Sequence, residues 1–245
     1  MVDLGRLELF LEGGKVDDSV FALRPDYRAL LIAAEGLQPG SSDGVSEAML
    51  AEAEKAAIEA RKTQPVKEVP HVAAWRDAYR AFGGKPQRTR NSLEALLRRA
   101  PSGLPRVNPL TDLYNAVSVL HQIPLGGEDL MRYSGVPRLI RATGDECFET
   151  MADGVAVTDH PDPGEVVWCD EAGVTCRRWN WRQSRRTQLG DDTTMALFIL
   201  DALDPVTDEA LDAAAHDLVD HLHHLGADVR VARRVIVRTN TTEGA

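Results

Sequence analysis

Residues 106–127 read RVNPLTDLYNAVSVLHQIPLGG, and they combine the start of a helix, an amphipathic helix and a glycine-containing segment. Pro109 is typical of the first helical turn, and apolar residues then recur at the helical period, which predicts a helix over residues 110–121. The next residues, IPLGGED at 123–129, are predicted to form a tight turn. Their glycines would let a ligand approach the backbone N–H groups.

Helical and strand patterns alternate on both sides of this helix. Further helices are predicted over residues 45–63, 71–82, 91–99 and 205–225. Strands are predicted over residues 6–11, 20–23, 28–35, 155–158, 165–169, 174–179, 194–201 and 229–237. No repeat or proline-rich linker separates these elements, so we expect one α+β domain over residues 1–238, followed by a loose tail over 239–245.

Composition excludes several classes of protein. The 245 residues are 43% hydrophobic and 27% charged, as in ordinary soluble proteins. No run of about 18 apolar residues is present, and the N-terminus lacks a signal-peptide pattern, so we expect a cytoplasmic protein without membrane contact. The three cysteines have no CxxC spacing, which argues against a disulfide framework or a zinc–thiolate site. Cys169 and Cys176 flank a predicted hairpin turn, and we expect these two to be apolar core residues.

A basic, tryptophan-containing segment contrasts with the net charge of −10. Residues 177–186, RRWNWRQSRR, contain five arginines and two tryptophans. Guanidinium groups suit phosphate, and indole rings stack on bases, so the segment indicates an anion-binding surface with RNA as the leading ligand. The acidic chain disfavours indiscriminate nucleic-acid binding, and no DNA partner is expected.

The same segment has two possible placements. On a strand, Arg178, Asn180 and Arg182 would face one side, and Trp179 and Trp181 would face the other. In the alternative interpretation the tryptophans lie in the core and the arginines pair with surface acids. The neighbouring polar side chains favour a lined pocket.

Familiar catalytic motifs are missing, and one histidine pattern invites a metal-site hypothesis. The sequence has no GxSxG, GxxxxGK[ST], GxGxxG or HExxH pattern. His216, Asp220 and His223 have the spacing of metal ligands on one helix face. The alternative is that they are ordinary polar residues opposite a leucine stripe, and we expect neither a metal nor a cofactor.

Four motifs in order resemble one known family. They are RVNPLTDLYN at 106–115, IPLG at 123–126, VWCD at 167–170 and DDTT at 191–194. Residues 79–203 thereby resemble the B3/B4 domain of the phenylalanyl-tRNA synthetase β subunit, and RRWNWRQ is similar to the freestanding proteins of that family. The resemblance implies an α+β fold with β-sandwich-like mixed sheets covered by helices.

The resemblance also implies a function. In the synthetase this domain hydrolyses mischarged tyrosyl-tRNA, so a freestanding copy would be a trans-acting editing hydrolase whose partner is aminoacylated tRNA. Hydrolysis would need a pocket, a positioned water and donors for the developing oxyanion, without a covalent intermediate. The alternative is a non-catalytic module that binds tRNA or an amino-acid-like ligand. The sequence does not indicate the oligomeric state.

The candidate site residues form two sets. Those expected to hold the aminoacyl group and water are Asn115, Ser118 and Asn180. Those expected to contact the substrate or RNA are Asn108, Tyr114, Gly126, Arg178, Trp179, Trp181, Arg182, Gln183, Arg185, Arg186 and Gln188.

The chain departs from the synthetase domain at several pocket positions. Tyr114 replaces a threonine beside Asn115, and Gly126 replaces a histidine. The pocket glutamate of the synthetase aligns with Gln188, and residues 179–182 replace a glycine-rich wall. Specificity for tyrosine is therefore not implied.

Overall fold

The structure is a computed structural model that describes residues 5–38, 40 and 44–239. Of the tail predicted over residues 239–245, all but Thr239 lies outside the described residues. The α-helices are α1 Gly5–Glu12, α2 Asp18–Phe21, α3 Gly44–Thr63, α4 Pro70–Ala81, α5 Ser92–Arg99, α6 Pro109–His121 and α7 Asp208–Leu222.

The strands follow in chain order. They are β1 Lys15–Val16, β2 Arg28–Glu35, β3 Leu125–Asp129, β4 Arg138–Arg141, β5 Phe148–Ala152, β6 Val155–Asp159, β7 Val166–Cys169, β8 Val174–Arg177, β9 Arg182–Gln183, β10 Met195–Ala202 and β11 Arg230–Val237. One sheet has the order β1-β4-β7-β8-β9 and is mixed, because β1 and β4 are parallel. The second sheet, β11-β2-β10-β3, is antiparallel, and β5 pairs with β6.

The four-stranded sheet is buried on both faces. Leu31 on its inner face shares a core with Leu139 and Trp168 of the five-stranded sheet. Leu30 and Ile32 on its outer face pack in a second core with the long helices α3, α6 and α7. Burial on both faces explains why β2 is a continuous apolar run rather than an alternating one. The predicted α+β fold, with sandwich-like mixed sheets covered by helices, is confirmed.

Several predicted elements are confirmed, and three are wrong. The helix beginning at Asn91 is confirmed, because the Asn91 side chain accepts a hydrogen bond from the Glu94 backbone N–H at 2.8 Å. Residues 6–11, predicted as a strand, lie in helix α1, and residues 20–23, also predicted as a strand, form the end of helix α2 and the turn after it. Residues 123–129, predicted as a turn, mostly form edge strand β3, which pairs with β10.

The strand predicted over residues 174–179 ends at Arg177. Arg178 and Trp179 follow with φ angles of 48° and 67°, in the left-handed region that breaks a strand. The expected alternation of arginines and tryptophans on opposite faces of one strand is therefore wrong.

Candidate functional site

A cavity of about 240 Å³ lies between the two sheets, near their edge strands β3 and β9. Gly126, Ile199 and Asp201 line it from the inner face of the four-stranded sheet, where Gly126 lies opposite Ile199. Trp168 and Cys176 line it from the five-stranded sheet. Side chains of α5 and α6 complete the lining, so the cavity is a gap in the sandwich that helices cover.

The segment after β8 forms one wall of the cavity. Its left-handed turn at Arg178 and Trp179 brings residues 179–183 consecutively onto the cavity. Trp179 is fully buried, and its ring meets Tyr27 and Trp75 edge-on at centroid distances of 5.0 and 5.2 Å. Non-glycine residues in this conformation are costly, and the aromatic packing offsets that cost. Backbone of this kind recurs at functional sites.

Asn180 belongs to a buried hydrogen-bond network. The Tyr79 hydroxyl donates to Asn180 Oδ1 at 3.1 Å, and Asn180 Nδ2 donates to Asp201 at 3.3 Å. The Tyr27 hydroxyl donates to the other oxygen of Asp201 at 2.5 Å. Burial raises the pKa of Asp201 to about 7, against the lowering effect of these donors. The carboxyl therefore titrates near neutral pH while lining the cavity.

Glu128 is a second buried carboxyl in the lining, and it accepts a hydrogen bond from the Tyr133 hydroxyl. Burial raises its pKa to about 7 as well. The sequence prediction missed both Glu128 and Asp201. The available signal was an acid within an otherwise apolar strand, since β10 reads MALFILDA.

Asn115 and Tyr114 come to the cavity from helix α6. Asn115 is 7% exposed, and within the described part of the chain its side-chain amide has no hydrogen-bond partner. The Tyr114 hydroxyl donates to Gln183 Oε1 at 3.4 Å, and Gln183 Nε2 donates to the Gly127 carbonyl at 2.7 Å. The Asn115 amide is therefore the one most available to a ligand.

Gly126 keeps the space beside Gln183 open. A Cβ atom at position 126 would lie 3.0 Å from Gln183 Nε2. The absence of a side chain there therefore contributes directly to the free volume of the cavity.

The arginines divide into paired and unpaired groups. Arg178 lies 3.5 Å from Glu165, and Arg186 lies 2.7 Å from Asp170. The guanidinium groups of Arg178 and Arg182 lie 4.8 and 5.5 Å from the Trp181 ring centroid. Within residues 5–38, 40 and 44–239, no carboxylate lies within 4.0 Å of Arg182. Arg182 is thus the exposed cation at the cavity wall.

The remaining predicted site residues lie outside the cavity lining. Asn108 caps helix α6 by accepting from the Thr111 N–H at 2.9 Å, and Ser118 Oγ donates to the Ile123 carbonyl at 2.7 Å. Arg185 is exposed, with its guanidinium 3.2 Å from the Met151 sulfur. Gln188 is exposed, and its backbone forms an isolated β-bridge with Glu128. The cavity therefore unites Asn115 and Asn180 but not Ser118.

Cysteine and metal chemistry receive little support from the geometry. Burial, followed by the nearby charges of Glu128 and Asp201, raises the pKa of the Cys176 thiol well above its usual range. The thiol is therefore a poor nucleophile. Among the described residues, no group of three or more His, Cys, Asp or Glu side chains could hold a metal ion. His216, from the predicted metal pattern, lies 3.1 Å from Asp212.

The chain is similar to a protein of known structure. A solved N-terminal fragment of the phenylalanyl-tRNA synthetase β-subunit from Pyrococcus horikoshii is similar, with 14% identity and a TM-score of 0.46. The alignment covers 89% of this chain and 49% of the fragment, so the chain spans about half the length of that relative. No curated protein matches the chain. None of the described helices is long and apolar enough to cross a membrane.

The family is established by a match to the sequence model of the B3/4 domain. That match covers residues 74–239, which is more than half of the chain. The chain therefore belongs to the B3/4 domain family.

Proposed function

We propose that this chain hydrolyses the ester bond of aminoacyl-tRNA in trans and releases a wrongly attached amino acid. The observation that carries the proposal is the cavity between the sheets, which both Asn115 and Asn180 line. The cavity volume of about 240 Å³ is on the scale of one aminoacyl group. Membership in the B3/4 domain family supports a link to tRNA synthetases.

Hydrolysis at this site proceeds by direct attack of water on the ester carbonyl carbon. The bond between that carbon and the ribose oxygen breaks, and the ribose oxygen takes the proton that the water loses. The neighbouring ribose hydroxyl of the RNA relays this proton, and the Asn115 amide donates to the developing oxyanion. Asn180 orients the aminoacyl group, because its amide already bridges Tyr79 and Asp201. The raised pKa of Cys176 disfavours a covalent thioester route.

Two exposed arginines are available to bind the phosphates of the RNA. Arg182 lies at the cavity wall, and Arg185 lies on the same basic segment. Both are exposed, so they are accessible to the phosphates near the 3′ end of a tRNA whose aminoacyl group enters the cavity.

A panel of mischarged aminoacyl-tRNAs incubated with the purified chain tests the proposal. We expect at least one to be deacylated faster than in buffer, and Asn115→Ala to slow that reaction about 100-fold, the effect of losing one oxyanion donor. Gln64→Ala, which removes an amide outside the cavity lining, is the control and should retain the wild-type rate. No deacylation above the buffer rate for any aminoacyl-tRNA would refute the hydrolase proposal.

A second candidate function is non-catalytic binding of tRNA or an amino-acid-like ligand. The observation that favours it is Gly126, at the position where the resemblance expects a histidine. The outcome that distinguishes it is tRNA binding with steep salt dependence in the absence of any deacylation.

A further inference from the structure

Two buried carboxyls face the cavity without a cationic partner. Glu128 is 1% exposed and Asp201 is 2% exposed, and both line the cavity. Their hydrogen-bond donors are the neutral groups of Tyr133, Tyr27 and Asn180. Across the described ranges, no lysine, arginine or histidine nitrogen lies within 4.0 Å of either carboxyl.

Three other buried carboxylates of this protein have arginine partners. The pairs are Glu94 with Arg76 at 2.9 Å, Glu165 with Arg177 at 2.8 Å and Asp170 with Arg186 at 2.7 Å. Burial of a carboxylate is costly unless a counter-charge compensates it. Glu128 and Asp201 depart from this rule, and they do so in the same cavity. A cation brought by the ligand would compensate both.

The aromatic lining also favours a cation. Three tryptophans, Trp168, Trp179 and Trp181, contribute to the cavity wall. The electron-rich faces of indole rings attract ammonium groups, and the attraction is stronger where water is excluded. Trp181 already has two guanidinium groups near its ring, at 4.8 and 5.5 Å. The lining holds two acids and three indoles against one exposed cation, Arg182, and this balance favours a cationic ligand.

The strand register places the two carboxyls at different positions along the cavity. Glu128 lies opposite Leu197 on the neighbouring strand, and Asp201 is four residues farther along, which is about 13 Å of strand. Gly126 and Ile199 lie between them on the same face. Both carboxyls line the same cavity as the Cys176 thiol.

We propose that the amino acid accepted by this cavity carries a basic side chain. One carboxyl binds its α-ammonium group, and the other binds the side-chain cation. The volume of about 240 Å³ is below that of pockets for drug-sized ligands, which suits one amino acid. The inference rests on the proposed function for the amino-acid nature of the ligand.

Calorimetric titration of the full chain with two matched amides at pH 7.5 tests this inference. Lysinamide and norleucinamide have the same chain length, and only lysinamide has a side-chain ammonium group. We expect lysinamide to bind at least about tenfold more tightly, because a hydrogen-bonded charge pair contributes that much. Equal affinities, or no measurable binding of lysinamide, would overturn the inference.

Variants locate the two contacts. Glu128→Gln and Asp201→Asn keep the side-chain shape and remove the charge. The variant that loses the side-chain contact should reduce the lysinamide preference to about twofold or less, and the variant that loses the α-ammonium contact should weaken the binding of both amides about equally. Glu52→Gln, an exposed position on helix α3, should keep the full preference. Retention of the preference in both cavity variants would contradict the assignment. The wild-type comparison of the two amides remains decisive if a variant does not fold.

The two proposals fail in different ways. Deacylation restricted to tRNAs that carry neutral amino acids would overturn the basic-substrate inference and leave the hydrolase proposal intact. Preferential lysinamide binding without deacylation of any aminoacyl-tRNA would refute hydrolysis and leave the cation site standing.

Discussion

At the scale of single residues, the cavity is lined by two buried carboxyls, Glu128 and Asp201, each with a pKa raised to about 7. The pKa of Asp201 rises from 3.8 to about 7 because burial disfavours its charged form. The side chains that hydrogen-bond to it, Tyr27 and Asn180, are neutral. The folded protein therefore holds a proton on Asp201 over a pH range in which the unfolded chain has released it.

The proton that the folded protein holds on Asp201 makes the free energy of unfolding depend on pH. Between about pH 4 and pH 7 the unfolded chain binds fewer protons at this position, so the contribution of Asp201 to stability falls as the pH rises. Asp201→Asn removes this contribution. We expect the free energy of unfolding of the wild type, relative to the variant, to drop by about 1 to 4 kcal/mol from pH 4 to pH 7.5. Urea unfolding at several pH values measures it, and parallel curves for the two proteins would contradict it.

Sequence patterns found some of these residues and missed others for a physical reason. Asn115 and Asn180 were predicted because polar residues stood out in an amphipathic helix and a basic segment. Glu128 was placed in a turn, because two glycines before an acid are typical of turns, and a carboxyl there would be exposed. Only pairing with β10 turns Glu128 inward, and that pairing is a tertiary contact.

At the scale of elements, short segments carried too little periodicity for a correct prediction. Residues 6–11, RLELFL, fit both an alternating strand and a helix. The structure selects the helix, in which Leu7 and Leu11 are buried one turn apart and Leu9 is 69% exposed. The longer elements β2 and helix α3 were predicted correctly, because β2 is a continuous apolar run and helix α3 is a long segment rich in Ala, Glu and Lys.

The two glycines of edge strand β3 differ in the space around them, and this difference predicts how alanine at each position changes stability. A Cβ at Gly127 would lie 2.7 Å from Leu189, 2.9 Å from Tyr114 and 3.0 Å from Phe198. Gly127→Ala should therefore destabilise the protein by about 1 to 3 kcal/mol through overpacking. Gly126→Ala should cost less, because among the described residues the side chain near its Cβ is the movable amide of Gln183.

Urea unfolding of the two alanine variants beside the wild type measures this difference. Both substitutions add the same methyl group to adjacent residues of one strand, so each is the control for the other. A larger loss of stability in Gly126→Ala than in Gly127→Ala would contradict the packing argument.

At the scale of the whole molecule, 38 acidic residues outnumber 28 basic ones, so the long-range field repels RNA. Binding must then rely on a few local contacts. Arg178 and Arg186 are already paired with Glu165 and Asp170, whereas Arg182 is exposed without a carboxylate partner among the described residues. The unpaired arginine is therefore expected to contribute most of the phosphate contact from this segment.

The salt dependence of tRNA binding tests whether Arg182 contacts an RNA phosphate. A phosphate contact releases counterions, so Arg182→Ala should weaken binding and reduce the slope of log affinity against log salt by about 0.7 to 0.9. Arg233→Ala, an exposed position on β11 whose guanidinium lies 3.3 Å from Asp212, should leave the slope unchanged. Fluorescence anisotropy with labelled tRNA at several salt concentrations gives both slopes. An unchanged slope in Arg182→Ala would mean that RNA contacts another surface, because an arginine bound to phosphate cannot be removed without changing counterion release.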